Sequence, residues 1–536
     1  MEGRADMVKK FNTTGICYPD RHYMTDLRDR MRQIKKKVDD GEYFVINRGR
    51  QYGKTTTLWA LREYLREEYL VAFLSFQQLS EADYKDEYVF VSAFADLITA
   101  ALEEEDWDDT GEEACRLKEI AEGPKDGMGL RRLFRVLSRF CQTSSRPVIL
   151  MIDEVDQASN NQVFLDLLAQ LRAYYLNGDR SRTFWSVILA GVYDIRNLKQ
   201  RIRPDSEHQY NSPWNIASVF DVDMSLRIPD ITGMLTEYEQ DKQTGMDVAQ
   251  MAKLLYDYTS GYPFLVSRLC QMMDEGIATG EGALGLSEAW TRTGLTEAVK
   301  QLLTESNTLF DDMVKKLSDF AELKELLYSI LFRGEKVAYN VYNRAINMGT
   351  MFGLVENAHG AVSVSNRIFE IVLYNLFLSE EMVNSRIYQV ADAEKNQFVK
   401  NGQLDMELVL KKFVQAFTSI YADADESFVE ENGRRFFLLY LKPIINGVGN
   451  YYIEAQTRDR RRTDVIIDYR GAQYVCELKI WHGEEYHRRG ERQLLGYLED
   501  YDLTTGYMLS FNFNKNKKTG IFKTELKGRT LIEAVV

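Results

Sequence analysis

The segment Tyr43-Phe-Val-Ile-Asn-Arg-Gly-Arg-Gln-Tyr-Gly-Lys-Thr-Thr-Thr57 constrains this chain more than any other. An apolar run leads into a glycine-containing turn, and Gly53-Lys54-Thr55 opens a helical stretch running from Leu58 to Tyr69. Strand, tight loop and helix in that order predict an anion cradle. Backbone N–H groups converge at a helix N-terminus, a lysine reaches terminal phosphates, and a threonine hydroxyl ligates Mg²⁺. The candidate cradle comprises Arg48, Gly49, Arg50, Gln51, Tyr52, Gly53, Lys54, Thr55 and Thr56. The usual pattern places glycine where this chain has Arg48; Gly49, alongside, is the candidate for the tight turn.

A second segment fits the first. Pro147-Val-Ile-Leu-Met-Ile-Asp153-Glu154 is a short apolar run ending in two acids. A run that continuous suits a parallel strand buried on both faces. In open α/β sheets ligands sit at the carboxyl ends of strands, so the acids would lie beside the loop. Asp153 is then the second Mg²⁺-holding residue, and Glu154 the group that polarises an attacking water.

The 536 residues allow three or four domains, and 45% hydrophobic content gives each enough apolar surface for a core. Five scattered cysteines lack the spacing of a zinc site, which argues for reduced thiols and a cytoplasmic setting. The first residues have no apolar stretch of the secretory kind, and no run approaches the roughly 18 residues of a membrane span. A net charge of −14 disfavours a general nucleic-acid coat but leaves room for a local basic site. Basic clusters occur late, at Arg458–Arg462, at His487-Arg-Arg489 with Arg492, and at Lys515–Lys518; they are either solvated faces or a phosphate-tracking groove.

Along the chain, residues 41–235 alternate strand and helix patterns, which predicts a mostly parallel sheet with helices on both faces. Asp194, after the strand ending at Ala190, is a candidate γ-phosphate sensor. Arg201 and Arg203 are candidates for stabilising transferred charge, within one chain or between copies of it. From about Met246 to Ser379 the pattern turns helical. Helices over Leu323–Leu331, Val337–Asn347 and Phe369–Leu378, with short strands at 351–356 and 361–364, describe a winged helix in a lid or oligomer role.

The run from Thr463 to Lys479 reads as a β-hairpin. With Arg470-Gly471 as a two-residue turn, Tyr469 faces Ala472 and Asp464 stands opposite Glu477. Directly opposed side chains come within about 5 Å at Cβ, and Lys479 shares their face. Val465, Ile467, Tyr474, Cys476, Leu478 and Ile480 make the opposite, core face. Paired carboxylates repel unless a cation lies between them, and hard oxygen ligands suit Mg²⁺ or Mn²⁺. Such a metal activates water against a phosphodiester, with Lys479 positioning that water. The competing reading is a solvent-facing Asp–Lys–Glu cluster.

Over nearly its whole length the chain resembles bacterial AAA-ATPase-like proteins that carry a C-terminal PD-(D/E)xK nuclease-like domain. The resemblance rests on Thr14-Gly-Ile-Cys-Tyr-Pro19, Asn47–Thr56, Ile152-Asp-Glu-Val-Asp156 and Ser212-Pro-Trp-Asn-Ile-Ala217. It rests equally on Gly261-Tyr-Pro-Phe264, Val364-Ser-Asn-Arg-Ile368 and Thr463-Asp464…Glu477-Leu-Lys479. It implies a P-loop ATPase of the additional-strand class over 1–235, a helical lid and winged-helix module over 236–380, and a restriction-endonuclease-like α/β domain over 381–536. In that family an arginine often replaces the loop's first glycine. The resemblance further implies that Asp464, Glu477 and Lys479 form the nuclease core. It implies polar helix positions at Gln493 and Tyr497, and a completing helical glutamate at Glu430 or Glu431, with Glu431 preferred. ATP and DNA are the implied ligands, defence against foreign DNA the implied setting, and a second copy of the chain a candidate partner. Because some relatives bind nucleic acid without cutting it, an ATP-driven regulatory or binding switch is the alternative.

Overall fold

The computed structural model describes residues 8–105, 107, 110–124, 127–178, 182–192, 214, 216–280, 283–333, 335–382, 384–421, 426–454, 463–480, 484–500, 503–512 and 518–536. They pack as two units. One comprises residues 1–226 with 262–264, the other 227–261 with 265–536.

Among the described residues the first unit has four strands: β1 (Tyr43–Asn47), β2 (Leu70–Ser75), β3 (Val148–Asp153) and β4 (Ser186–Gly191). All pair in parallel, in the order β1-β4-β3-β2. Every residue of β3 and β4 is buried, so neither strand alternates in polarity. The reason is coverage on both faces. Tyr43, Val45, Ala72, Leu74, Leu150, Ile152, Val187 and Leu189 face a core shared with helices Glu87–Glu103, Leu130–Thr143 and Gln162–Leu176. Their neighbours in sequence, Phe44, Ile46, Val71, Ile149, Met151, Ile188 and Ala190, face helices Arg28–Asp39 and Lys54–Leu65. The period of two thus sorts one apolar run into two cores. The strand expected to end at Ala190 is β4, which lies between the loop strand β1 and the Asp153 strand β3, and Phe44 bridges Ser218 in parallel.

The second unit begins with helices Ile228–Lys242 and Val248–Thr259. Further on, a hairpin of β5 (Val355–Ala358) and β6 (Ala361–Val364) turns at His359 and Gly360, both with positive φ. The helix expected over Val337–Asn347 is displaced. Residues 337–339 instead lie along the hairpin, with Tyr339 N–H donating to the Gly360 carbonyl (2.8 Å) and Val362 N–H to that of Val337 (2.9 Å). The helix runs Arg344–Met351, because the Asn343 side chain caps it by accepting from Ile346 N–H at 3.2 Å. Helix Arg367–Met382 follows, then the short β7 (Val399–Lys400) and β8 (Gln403–Leu404).

A mixed sheet follows, with six strands among the described residues: β9 (Gly449–Glu454), β10 (Thr463–Tyr469), β11 (Ala472–Ile480), β12 (Thr505–Phe511), β13 (Gly520–Leu526) and β14 (Arg529–Val535), ordered β13-β14-β12-β11-β10-β9. The β11/β12 pair is parallel and so needs a crossover, supplied by helix Glu484–Asp500. Leu494, Leu495 and Leu498 of that helix cover Ile466, Val475, Met508 and Leu531. The hairpin therefore has two core faces and not one: Val465, Ile467 and Cys476 are buried on the far side too. The crossover accounts for the difference, since it roofs the face that carries the acids.

Among the described residues no helix is long and apolar enough to cross a membrane, and the five cysteines form no disulfide.

Candidate functional site

The loop after β1 is shaped by its own side chains. Gln51 (φ 56°) and Gly53 (φ 75°) adopt the left-handed conformation, which turns the chain sharply into helix Lys54–Leu65. Lys54 is buried, and its Nζ donates to the carbonyls of Arg48 and Gly49, 3.0 Å each. Burial pushes its pKa down, against the pull of Asp156, Glu154 and Asp153. The Thr55 hydroxyl donates to Asp153 Oδ2 at 2.6 Å, which brings together the two oxygen donors expected to hold Mg²⁺. Asp153 is 2% exposed at the end of β3. Glu154 follows with φ 54°, its N–H donating to Asp153 Oδ1 at 2.9 Å. Burial first, and Asp153 second, push the Glu154 carboxyl above the ordinary range. A carboxylate and a hydroxyl are the donors a hard divalent cation takes, and a buried ammonium beside a helix N-terminus fits a polyphosphate.

Other loop residues do different work. The Arg48 guanidinium turns away from the loop: it donates to the carbonyls of Asn47 (3.0 Å) and Val222 (3.3 Å) and lies 5.5 Å over the Phe220 ring. Its backbone carbonyl, and not its side chain, serves Lys54. The Thr56 hydroxyl accepts from Cys17 N–H (3.2 Å), tying the Thr14–Pro19 motif to the helix, where Tyr18 meets Trp59 edge-on. Tyr52 packs edge-on against Tyr262 and pairs with Ser225 Oγ at 2.8 Å.

Two residues of this site escaped sequence reasoning. Asp156 accepts from Val192 N–H at the end of β4 and presses on Gly191, where a Cβ would come within 3.0 Å of its Oδ1. The Tyr262 hydroxyl donates to the Arg50 carbonyl. Both lie in motifs visible in the sequence, but their partners are 36 and 212 residues distant. Asp194, Arg201 and Arg203 lie outside the described residues.

In the C-terminal sheet the register runs from Tyr469↔Ala472 to Val465↔Cys476, as the Arg470-Gly471 turn requires, and both turn residues have positive φ. Asp464 lies one residue beyond the last paired position, Val465↔Cys476, in a stretch where β10 shifts register against β9 between Thr463 and Ile466. The side chains of Asp464, Gln493, Tyr497, Glu430 and Glu431 lie outside the described residues, as do Arg458–Arg462 and Lys515–Lys517. Glu477 is 1% exposed and forms an ion pair with Lys479 at 3.0 Å. Helix Glu484–Asp500 passes close above: a Cβ on Gly490 would stand 3.0 Å from Lys479 Cε. Ser510, beside Lys479 in β12, donates to Glu533 Oε1 at 2.5 Å. Among the described residues no three His, Cys, Asp or Glu side chains stand close enough to share a metal. Asp468, also missed in the sequence, is buried and accepts from the Tyr258 hydroxyl; burial raises its carboxyl pKa.

A parallel sheet with a strand inserted between the loop strand and the acid-tipped strand, and a lysine-threonine loop at its carboxyl edge, defines a P-loop nucleotide-binding unit. No protein-family model matches this sequence, and no curated protein does. Among solved structures the chain is similar to the Walker-type ATPase PABY2304 of Pyrococcus abyssi (12% identity, 68% of this chain and 99% of that one, TM-score 0.45). It is also similar to the Aeropyrum pernix ORC2 protein in its ADP form (14%, 69% and 97%, TM-score 0.35). A third likeness is to the Aeropyrum pernix ORC1 protein in complex with DNA (14%, 67% and 94%, TM-score 0.28). At scores this low the likenesses carry no argument, and the class rests on the loop and the strand order.

Proposed function

We propose that this chain is a Mg²⁺-dependent ATPase whose nucleotide state gates a metal-dependent nuclease acting on DNA, in defence against foreign DNA. The observation that carries the ATPase half is the pairing of Lys54 on the Arg48 and Gly49 carbonyls with Thr55 on Asp153. Lys54 would neutralise the terminal phosphates, Thr55 and Asp153 would hold Mg²⁺, and Glu154 would polarise the attacking water and accept its proton. Bound Mg²⁺ supplies charge neutralisation on the phosphates.

The nuclease half is supported by the hairpin register and by Glu477 and Lys479 sharing one face of β11. Asp464 and Glu477 would hold Mg²⁺ or Mn²⁺, Lys479 would orient water, and Gln493 and Glu431 would complete the set. The Glu477–Lys479 ion pair already occupies the carboxylate that would hold the metal, and this favours a second reading in which the domain does not cut and the chain is an ATP-driven switch.

The test is a plasmid incubated with Mg²⁺ or Mn²⁺, with and without ATP. Lys54→Ala should abolish ATP turnover. Asp464→Ala should keep turnover and lose nicking. Nicking by Asp464→Ala at the wild-type rate sinks the nuclease assignment, and binding without nicking under every condition selects the switch.

A further inference from the structure

Three consecutive carbonyls of the loop, those of Arg48, Gly49 and Arg50, accept from side-chain donors: Lys54 takes the first two and Tyr262 the third. Tyr262 is 2% exposed, and its ring packs 4.6 Å from that of Tyr52 at an interplanar angle of 69°. Tyr52 is itself held by Ser225. The phenol therefore has one place to be, and the Arg50 carbonyl is fixed on it.

A planar trans peptide sets its C=O and N–H in opposite directions. Fixing the Arg50 carbonyl on Tyr262 thus turns the Gln51 N–H away from that ring. Gln51 and Gly53 both have positive φ, the conformation by which successive N–H groups converge on an anion. We propose that Tyr262 is a positioning residue for the polyphosphate of a nucleoside di- or triphosphate: its hydroxyl presets the Gln51 N–H toward the phosphates. Without it the 50–51 peptide rotates in the empty loop, and binding must pay for reorienting it. The inference rests on the ATP-binding reading above.

Tyr262→Phe removes one oxygen and keeps the ring on Tyr52, so the fold is retained. The full-length protein and its Tyr262→Phe and Lys54→Ala variants are titrated with ATP, ADP and pyrophosphate, and steady-state ATP turnover is measured alongside. Loss of one neutral hydrogen bond corresponds to about a five-fold change. The expected result is a roughly five-fold weaker affinity for all three ligands and a KM that rises more than kcat falls, with the ligand-free melting temperature within a few degrees of wild type. A merely structural role would lower the melting temperature and leave the KM of the folded fraction alone. Wild-type affinity for ATP and pyrophosphate in Tyr262→Phe, where Lys54→Ala has lost both, overturns the inference and leaves the ATP reading standing. Failure of the unsubstituted protein to bind any of the three overturns both.

Discussion

Arg48→Gly restores the residue that a phosphate-binding loop ordinarily carries at this position, and so separates anchoring from ligand binding. The side chain makes one good hydrogen bond to the Asn47 carbonyl (3.0 Å), a longer one to Val222 (3.3 Å), and a cation–π contact with Phe220 at 5.5 Å. A hydrogen bond from a charged donor contributes about 1.5–3 kcal/mol, the longer one less, and the ring contact about 0.5–1 kcal/mol. Against these stands desolvation of the guanidinium, whose pKa burial pushes down. Glycine adds roughly 0.5–1 kcal/mol of unfolded-chain entropy. The net loss should be about 3 kcal/mol. At 2–4 °C per kcal/mol for a unit of this size, the first unit should melt about 6–12 °C lower. The Arg48 carbonyl still receives Lys54, so affinity for ATP, measured with a fluorescent analogue at a temperature where both proteins are folded, should stay within about three-fold. Unchanged melting with a ten-fold or greater loss of ATP affinity would show that the guanidinium acts on phosphate and refute the anchoring argument.

Other outcomes follow from the same geometry. Glu154→Gln should bind ATP normally and turn it over about 10²–10⁴-fold more slowly in single-turnover assays; a loss below ten-fold removes Glu154 as the base. The raised Asp468 carboxyl predicts a pH dependence of the second unit. Below the unfolded pKa of about 3.9 both states are protonated and the acid costs nothing; as pH rises the unfolded state ionises first, and stability falls until pH passes the folded pKa. Asp468→Asn keeps an acceptor for Tyr258 and removes that loss, so urea unfolding at pH 4 and pH 8 should show the wild type weakening relative to the variant. Parallel pH profiles would mean the carboxyl is not penalised. Lys479→Ala should leave ATP turnover intact and abolish nicking; nicking at full rate would exclude the lysine from the reaction.

The sheet strands of the first unit were legible because covering both faces leaves uninterrupted apolar runs, which few other structures produce. The hairpin register was legible because Arg470-Gly471 is a turn that admits only one pairing. The Val337–Asn347 segment was misread because its periodicity suits a helix, while the capping preference of Asn343 and the pairing of residues 337–339 with the β5–β6 hairpin outweigh it. Tyr262, Asp468 and the anchoring of Arg48 were invisible for a different reason. Each depends on a partner some 170–210 residues away, and no local pattern encodes which distant carbonyl or hydroxyl will arrive.

The position of β4 has a consequence for biogenesis. It is the last of the four parallel strands to leave the ribosome, yet it fills the middle of their sheet. The Tyr43 hydroxyl waits for a carbonyl, that of Phe184, 141 residues downstream. Until that segment emerges, β1 and β3 each present a bare apolar edge to water or to a chaperone. A nascent chain stalled short of residue 186 should therefore aggregate more readily than the finished unit, and the nucleotide loop has no finished scaffold to sit on until synthesis has passed it by well over a hundred residues.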